Sequence, residues 1–158
     1  MIYTPKKFLE QVIKPSISII GKASDQASIL LLGTALKESN LTYRKQLGGP
    51  ALGLFQIEPE TYYDTYLNYI NYRLELKKLI EGTFIPYKMD VNSLIFNDYY
   101  SCMIARIKYY RVQEKLPEVH DVEGQAKYWK KYYNTNLGKG TVEQYMEMVF
   151  KHKLLELI

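Results

Sequence analysis

A mostly apolar segment, Ala27–Leu36, constrains the fold of this chain more than any other feature of its sequence. It is about half as long as a helix must be to cross a bilayer, which argues against a membrane span. Ser24 and Asp25 directly precede it, and both suit the start of a helix that we expect to run to about Glu38. The segment therefore predicts a buried helix in a water-soluble protein.

Helix signals cover most of the remaining chain, whereas no segment has the length and alternation of an independent strand. Proline at the first helical position marks two starts, Thr4-Pro5 and Pro59, and Thr141 to Gln144 has capping-box spacing. The other predicted helices cover 5 to a kink or end at Pro15, 59–82, 90–112, 122–133, and 141 to nearly 158. The fold class is therefore predicted to be mostly α, with about five to seven helices.

The one stretch without helical character is the segment that reads LTYRKQLGGPALGLFQI, residues 41–57. Gly48, Gly49, Pro50 and Gly53 permit a turn, so we expect one glycine-rich loop or a minimal hairpin here. No repeat, linker or low-complexity segment divides the chain. Residues 1–158 are therefore expected to form a single domain.

Composition narrows the possible functions. The single cysteine, Cys102, rules out an intramolecular disulfide, and its apolar surroundings predict a buried, inert thiol. The two histidines, His120 and His152, are too far apart in sequence to argue for a metal site, so we predict no metal and no cofactor. The formal net charge of +4 permits a polyanionic partner without requiring one.

The first residues, MIYTPKKFLEQVIKP, lack the basic-then-apolar order of a secretory signal. We therefore expect the protein to be made in the cytoplasm without a signal peptide. If it acts outside the membrane, it must be released or delivered by another component.

Glu38 is the first candidate functional residue. It lies four and seven positions after Thr34 and Leu31, so it shares their buried helix face. A carboxyl group there loses hydration, which raises its pKa toward the value that a general acid needs near neutral pH. Gln56 offers both a donor and an acceptor to a polar ligand. A solvated helix-terminal glutamate followed by an ordinary turn is the alternative that the residues alone leave open.

Three segments in order resemble the soluble lytic transglycosylase and goose-type lysozyme superfamily. Glu38-Ser39 matches the Glu-Ser pair that ends a helix in that family, and the segment 53–57, GLFQI, matches its Gly-Leu-Met-Gln element with phenylalanine in place of methionine. Pro59 and Thr61 match the nearby Pro-x-Thr. Tyr133-Asn134 is similar to the family's Tyr-Asn-Ala-Gly element, although the next two residues, Thr and Asn, depart from it.

The resemblance implies a lysozyme-like helical fold and cleavage of the β-1,4 bond between N-acetylmuramic acid and N-acetylglucosamine in bacterial peptidoglycan. Glu38 would be the catalytic acid and base, and the glycine-rich loop would form one wall of the glycan groove. The candidate substrate-binding residues are Ser39, Gly53, Gln56, Tyr63, Tyr133 and Asn134. The expected partner is the glycan strand, bound by a monomer. Small size and the lack of a signal suit a phage lysin, released at host lysis, or a wall-penetrating virion component.

A second carboxylate is missing from the loop, because no Asp or Glu occurs between Ser39 and Ile57. Glycosidases usually use two carboxylates. Glu58 is the next acid, and it is either a helix cap or a possible water-positioning base. The resemblance implies instead that the sugar's own N-acetyl group or 6-hydroxyl completes the reaction, which yields a 1,6-anhydro product. We therefore expect transglycosylation over hydrolysis.

Two other function classes remain open. A non-enzymatic, lysozyme-like structural or assembly protein, such as a virion component, would bind glycan or another protein. The presence of both Glu38 and Gln56 is the one sequence feature that separates an active enzyme from such an inactive relative. A nucleic-acid binder ranks third. It is suggested by cations among aromatic residues in YRKQ, residues 43–46, and KYWKKYY, residues 127–133.

Overall fold

The computed structural model describes all 158 residues, and the regular elements are all helical. The α-helices are α1 Pro5–Phe8, α2 Lys14–Ile19, α3 Asp25–Ser39, α4 Pro59–Asn68, α5 Leu74–Thr83, α6 Ser93–Phe96, α7 Asp98–Tyr110, α8 Val122–Trp129 and α9 Val142–Lys151. Two π-helical turns cover Leu9–Ile13 and Lys130–Asn134, and two 3-10 turns cover Ile70–Tyr72 and Leu154–Leu157. The predicted mostly α fold class is confirmed. No helix has the length and apolar character that crossing a membrane requires.

Helix α3 lies at the centre of the core. Every residue from Ala27 to Leu36 is buried, as the apolar segment predicts. The helix contacts α7, α8 and α9, and its apolar side chains belong to one contiguous cluster of 37 buried residues. A helix that is apolar on all sides must be surrounded by protein. Its last turn, where Glu38 lies, is the point at which the chain leaves this core.

The predicted caps are confirmed where α3 and α9 begin. The amide of Ala27 donates to Ser24 Oγ at 3.0 Å. Thr141 and Gln144 form the reciprocal capping box, with the amide of each bonded to the side chain of the other. These bonds satisfy amides that have no partner inside the helix.

Pro15 does not end its helix. Proline has no N–H to donate to the carbonyl one turn earlier, which is that of Gln11. The hydroxyl of Tyr99, on α7, donates to Gln11 O at 2.7 Å instead. The chain passes through the π-helical turn before Lys14 and then continues as α2. The helix can therefore continue past Pro15, because the hydroxyl of Tyr99 supplies a hydrogen bond to the Gln11 carbonyl in place of the missing proline N–H.

The single helix predicted over 59–82 is wrong, because the chain breaks between α4 and α5. Tyr69 adopts φ −132° and ψ −62°, outside the helical region. The break buries Ile70 completely, and the guanidinium of Arg73 stacks 3.5 Å from the centre of the Tyr69 ring. Burial of an apolar side chain outweighs the loss of helical hydrogen bonds over this short segment.

The single helix predicted over 90–112 is also wrong, because the chain is interrupted at Asn97. Asn97 is extended, and its side chain accepts a hydrogen bond from the amide of Tyr100 at 3.0 Å. This cap starts α7 anew after the short α6. The last helix also ends early, at Lys151, because Lys153 adopts φ 51° and the chain then buries Leu154.

The loop between α3 and α4, predicted as a glycine-rich loop or a minimal hairpin, contains no strand and has two isolated antiparallel bridges, from Lys45 to Leu52 and from Leu52 to Ile57. Its base is fixed to α7 by a bidentate ion pair. Arg44 donates from both terminal nitrogens to the buried carboxylate of Asp98, and Asp98 also accepts from Tyr3 Oη at 2.9 Å. Bidentate geometry of this kind fixes orientation as well as distance.

Candidate active site

Glu38 lies in the last turn of α3, which ends where Asn40 adopts a left-handed conformation. Its side chain is half-buried, and the indole nitrogen of Trp129 donates to Glu38 Oε1 at 2.9 Å. Trp129 is itself fully buried on α8, where its ring packs 5.3 Å from that of Tyr145. A donor on a rigid, buried ring holds the carboxyl group in one orientation.

Burial raises the pKa of Glu38 above its ordinary value. Four weaker influences oppose the shift: the hydrogen bond from Trp129, the positive charges of Lys108 and Lys37, and a contact with Asn134. Loss of hydration outweighs them, because the hydration free energy that a buried carboxylate loses exceeds the stabilisation that one N–H hydrogen bond provides. Glu38 therefore keeps its proton to a higher pH than a solvated glutamate does.

A cleft of ≈ 770 Å³ opens in front of this carboxyl group. Its size falls in the range of sites that bind small molecules or short polymer segments. Part of the wall comes from the glycine-rich loop, with Gln46, Gly48 and Gln56 in the lining. Another part comes from residues 133–135 and 137–140, which begin at the end of the π-helical turn that follows α8. Two loops that are distant in sequence thus enclose Glu38.

The glycine-rich wall is fixed from behind. Ser39 is buried, and its hydroxyl lies 2.7 Å from Leu54 O and 3.0 Å from Ala35 O, which joins the end of α3 to the loop. Gln56 donates from Nε2 to Gly53 O at 2.9 Å. Its Oε1 accepts no hydrogen bond from the protein, so this acceptor stays available within the cleft lining.

The opposite wall is held by Tyr133 and two lysines. The Tyr133 hydroxyl donates to Phe55 O at 2.7 Å, which ties this wall to the glycine-rich loop. Lys108 Nζ donates to Tyr133 O at 3.1 Å and lies 3.9 Å from the centre of the Tyr133 ring. Lys130 Nζ donates to Asn134 Oδ1 and Gly138 O at 2.7 and 2.8 Å, which closes the following turn.

The structure brings most of the sequence-predicted residues to one place. Glu38, Gln56, Glu58, Tyr133 and Asn134 all line the cleft. Three others lie outside its lining: Ser39, Gly53 and Tyr63. Ser39 and Gly53 are buried, and Tyr63 is an exposed residue of α4 whose ring packs 5.3 Å from that of Tyr62. A substrate-binding role for these three stays a prediction.

Glu58 is the one carboxylate besides Glu38 in the lining. It occupies the cap position of α4, yet its side chain makes no capping hydrogen bond and no ion pair. The Glu58 side chain therefore does not cap α4. Its exposed carboxylate therefore remains available to a ligand or to water.

Sequence reasoning missed two residues of the site, Trp129 and Lys108. Trp129 carried a signal, since it is the single tryptophan and precedes Tyr133 by one helical turn on the same face. Lys108 carried none, because α7 reaches the cleft only through tertiary packing. Burial lowers the pKa of Lys108 to about 8, against the opposing effect of the negative charges of Glu38 and Glu58.

No group of three or more His, Cys, Asp and Glu side chains is placed to hold a metal ion. What the arrangement offers chemically is a carboxyl group with a raised pKa, a fixed N–H donor beside it and nearby ammonium groups. Comparison of the chain with protein-family models, with curated proteins and with solved structures finds no match.

Proposed function

We propose that this protein cleaves the β-1,4 bond between N-acetylmuramic acid and N-acetylglucosamine in bacterial peptidoglycan, and that its helical fold is lysozyme-like. The observation that carries the proposal is the Glu38 carboxyl group, half-buried in the lining of the ≈ 770 Å³ cleft, with a raised pKa and a fixed Trp129 donor. A carboxyl group whose pKa is raised by burial is what a glycosidase uses as its acid.

In the proposed reaction, Glu38 donates its proton to the glycosidic oxygen as the bond from that oxygen to the anomeric carbon breaks. The resulting carboxylate is stabilised by the Trp129 N–H and by the charges of Lys108 and Lys37, the groups that oppose its raised pKa. Glu38 then takes a proton from the 6-hydroxyl of muramic acid, whose oxygen bonds to the anomeric carbon. The acid is regenerated and the product is a 1,6-anhydro sugar.

A hydrolytic outcome has one observation in its favour, which is the presence of Glu58 in the same cleft. Its unpaired carboxylate could take a proton from water in place of the sugar hydroxyl. We favour the anhydro product because the loop between Ser39 and Ile57 holds no acid. Either reaction requires access to the wall, which release at host lysis or delivery in a virion would provide.

Clearing of purified cell wall in a zymogram tests the proposal. Glu38→Gln keeps the size of the side chain and removes the proton donor, so we expect clearing to fall by at least about 10²-fold. Glu60→Gln is the matched control, because Glu60 is exposed and outside the cleft lining. Circular dichroism should show the same helix content in both variants. Clearing by Glu38→Gln at the parent rate would overturn the assignment.

A non-enzymatic binding role is the second candidate, and a specific surface favours it. A cavity of ≈ 750 Å³ lies between α4, α5 and the following loop, lined by Tyr62, Tyr66 and Tyr100 among others. Ile85 and Tyr87 at its edge are about three-quarters exposed. Exposed apolar side chains beside a cavity are typical of interaction surfaces. Binding of glycan strands without release of any new sugar ends would support this role over catalysis.

A further inference from the structure

The second cavity, between α4, α5 and the loop that follows α5, lies apart from the Glu38 cleft, and the two share no lining residue. Helix α4 contributes to both, since Thr61 lines the cleft and the next residue, Tyr62, lines the cavity. A volume of ≈ 750 Å³ suits a small molecule. Ile80 and Tyr100 in its lining are buried, so the space is concave and not a shallow surface patch.

A cluster of aromatic rings forms one wall of the second cavity. The ring centre of Tyr62 lies 5.8 Å from that of Tyr66 and 6.2 Å from that of Tyr100. Phe84 packs edge-on against Tyr100, with 5.6 Å between the ring centres. Met89 adds a flexible apolar side chain to the lining. Since aromatic rings pack well against flat apolar groups, the cavity suits a ligand with a flat, apolar body.

The buried tyrosine pair leaves one hydroxyl proton without an acceptor in the protein. Tyr62 Oη and Tyr100 Oη lie 2.7 Å apart, so one of them donates to the other, and neither makes a further hydrogen bond within the protein. Burial raises the pKa of both phenols, so both keep their protons. The two side chains are only 5% and 1% exposed. A ligand that brings an oxygen atom into the cavity would supply the missing acceptor.

The lining of the second cavity carries more positive than negative charge. Its charged residues are Lys77, Lys78, Lys88 and Glu81. The Glu81 carboxylate already accepts a hydrogen bond from the Tyr66 hydroxyl. Lys77 and Lys78 lie 3.8 and 3.6 Å from carboxylate oxygens of α5, but ion pairs this exposed are weak. Lys88 is exposed and has no ion pair, so its ammonium group is available to an anion.

We propose that the second cavity binds a small amphipathic carboxylate, with its apolar body against the tyrosine rings and its carboxylate at Lys88. A protein surface would fit less well, because it would contact Ile85 and Tyr87 at the edge without reaching the buried hydroxyl pair. The inference goes beyond the proposed function, since the cavity and the Glu38 cleft have separate linings.

Isothermal titration with two matched probes tests the requirement for a negative charge. Biphenyl-4-carboxylate has a flat apolar body and a carboxylate, and biphenyl-4-carboxamide has the same shape without the charge. The parent protein should bind the carboxylate with a dissociation constant below about 1 mM, and more tightly than the amide. Lys88→Gln should raise that constant about two- to fivefold and leave the amide unaffected. Lys115→Gln is the matched control and should change neither, since Lys115 is exposed and outside the cavity.

Gly82 allows the cavity to be filled without a clash. It belongs to α5 and lines the cavity, and a Cβ there would meet no atom within 4 Å. Gly82→Leu should weaken the binding of both probes at least about tenfold, because the new side chain occupies space that the biphenyl body needs. Gly82→Ala adds a single methyl group and should weaken binding less. Circular dichroism should show the same helix content in both variants, and wall clearing should equal that of the parent, since Gly82 lies outside the cleft.

Three results would overturn the inference. One is the absence of binding by either probe at about 1 mM. Another is equal affinity for the carboxylate and the amide. A third is binding that Gly82→Leu leaves unchanged, which would place the probes outside this cavity. If neither probe binds and the parent protein self-associates in a manner that Tyr87→Ala abolishes, this face belongs to a second copy of the chain. The proposed function stands in each case, because wall clearing is measured separately.

Discussion

At the scale of single residues, the raised pKa of Glu38 has a consequence for stability that is separate from catalysis. Between the ordinary pKa of a glutamate and the raised pKa of Glu38, the unfolded chain has lost this proton while the folded protein still holds it. The free energy of unfolding therefore falls as pH rises from that ordinary value through the raised one. The loss of the Glu38 proton at higher pH therefore lowers the stability of the folded protein.

Glu38→Gln should accordingly raise the free energy of unfolding at pH 7, because glutamine carries no charge to desolvate. The gain should disappear below the ordinary pKa of glutamate, where Glu38 is neutral in both states. Urea unfolding of both proteins between pH 4 and pH 8 measures the difference. A Glu38→Gln protein that is less stable than the parent at every pH would show that desolvation does not dominate this carboxyl group.

Trp129→Phe should separate the hydrogen bond from the packing of the ring. It removes a donor that lowers the pKa of Glu38, so this pKa should rise further. The loss of activity at alkaline pH should then begin at a higher pH than in the parent. Maximal activity should fall about tenfold or more, because the carboxylate formed in the reaction loses a charge-assisted bond. A pH profile of wall clearing measures both changes, and an unshifted profile would exclude this role for the indole.

At the scale of elements, the glycine-rich loop depends on one glycine in particular. Gly53 has φ +73°, and a Cβ there would lie 2.2 Å from the backbone oxygen of Leu94. Gly21 has a similar φ of +65° with open space around it. Gly21→Ala should therefore cost about 1 kcal/mol from backbone strain alone. Gly53→Ala should cost at least about 2 kcal/mol, since the loop must also move. Urea unfolding compares the two, and equal losses would contradict the proposed contact.

Local signals predict where helices begin better than where they end. Ser24 and Thr141 are identifiable from sequence because a cap is a contact between residues three apart. The break at Tyr69 is not, because it is decided by what the rest of the core can bury. Ile70 enters the core only if α4 ends, and the residues around it in sequence give no local signal for that end. Asn97 is a local cap of the same kind, three residues before Tyr100, and the prediction of one helix over 90–112 overlooked it.

At the scale of the whole molecule, the cleft is assembled from four separate parts of the chain. Glu38, Gln56 and Tyr133 could be predicted because short motifs around them resemble a family pattern. Lys108 and the Trp129 hydrogen bond could not, since both arise where α7 and α8 pack against the end of α3. The position of Glu38 in the candidate site can thus be predicted from the sequence, whereas the groups that lower its pKa are identified only from the three-dimensional structure.

The identity of the reaction product depends on this assembly, because the cleft places Glu58 in the same lining as Glu38. If the sugar hydroxyl completes the reaction, Glu58→Gln should leave the product unchanged and its rate within about threefold of the parent. Mass spectrometry of digested muropeptides should then find an anhydro sugar, which lacks one water relative to the hydrolysis product. If Glu58 instead activates a water, the fragments carry that water and Glu58→Gln abolishes their release. In that case Glu38 remains the acid, and the enzyme is a hydrolase with two carboxylates.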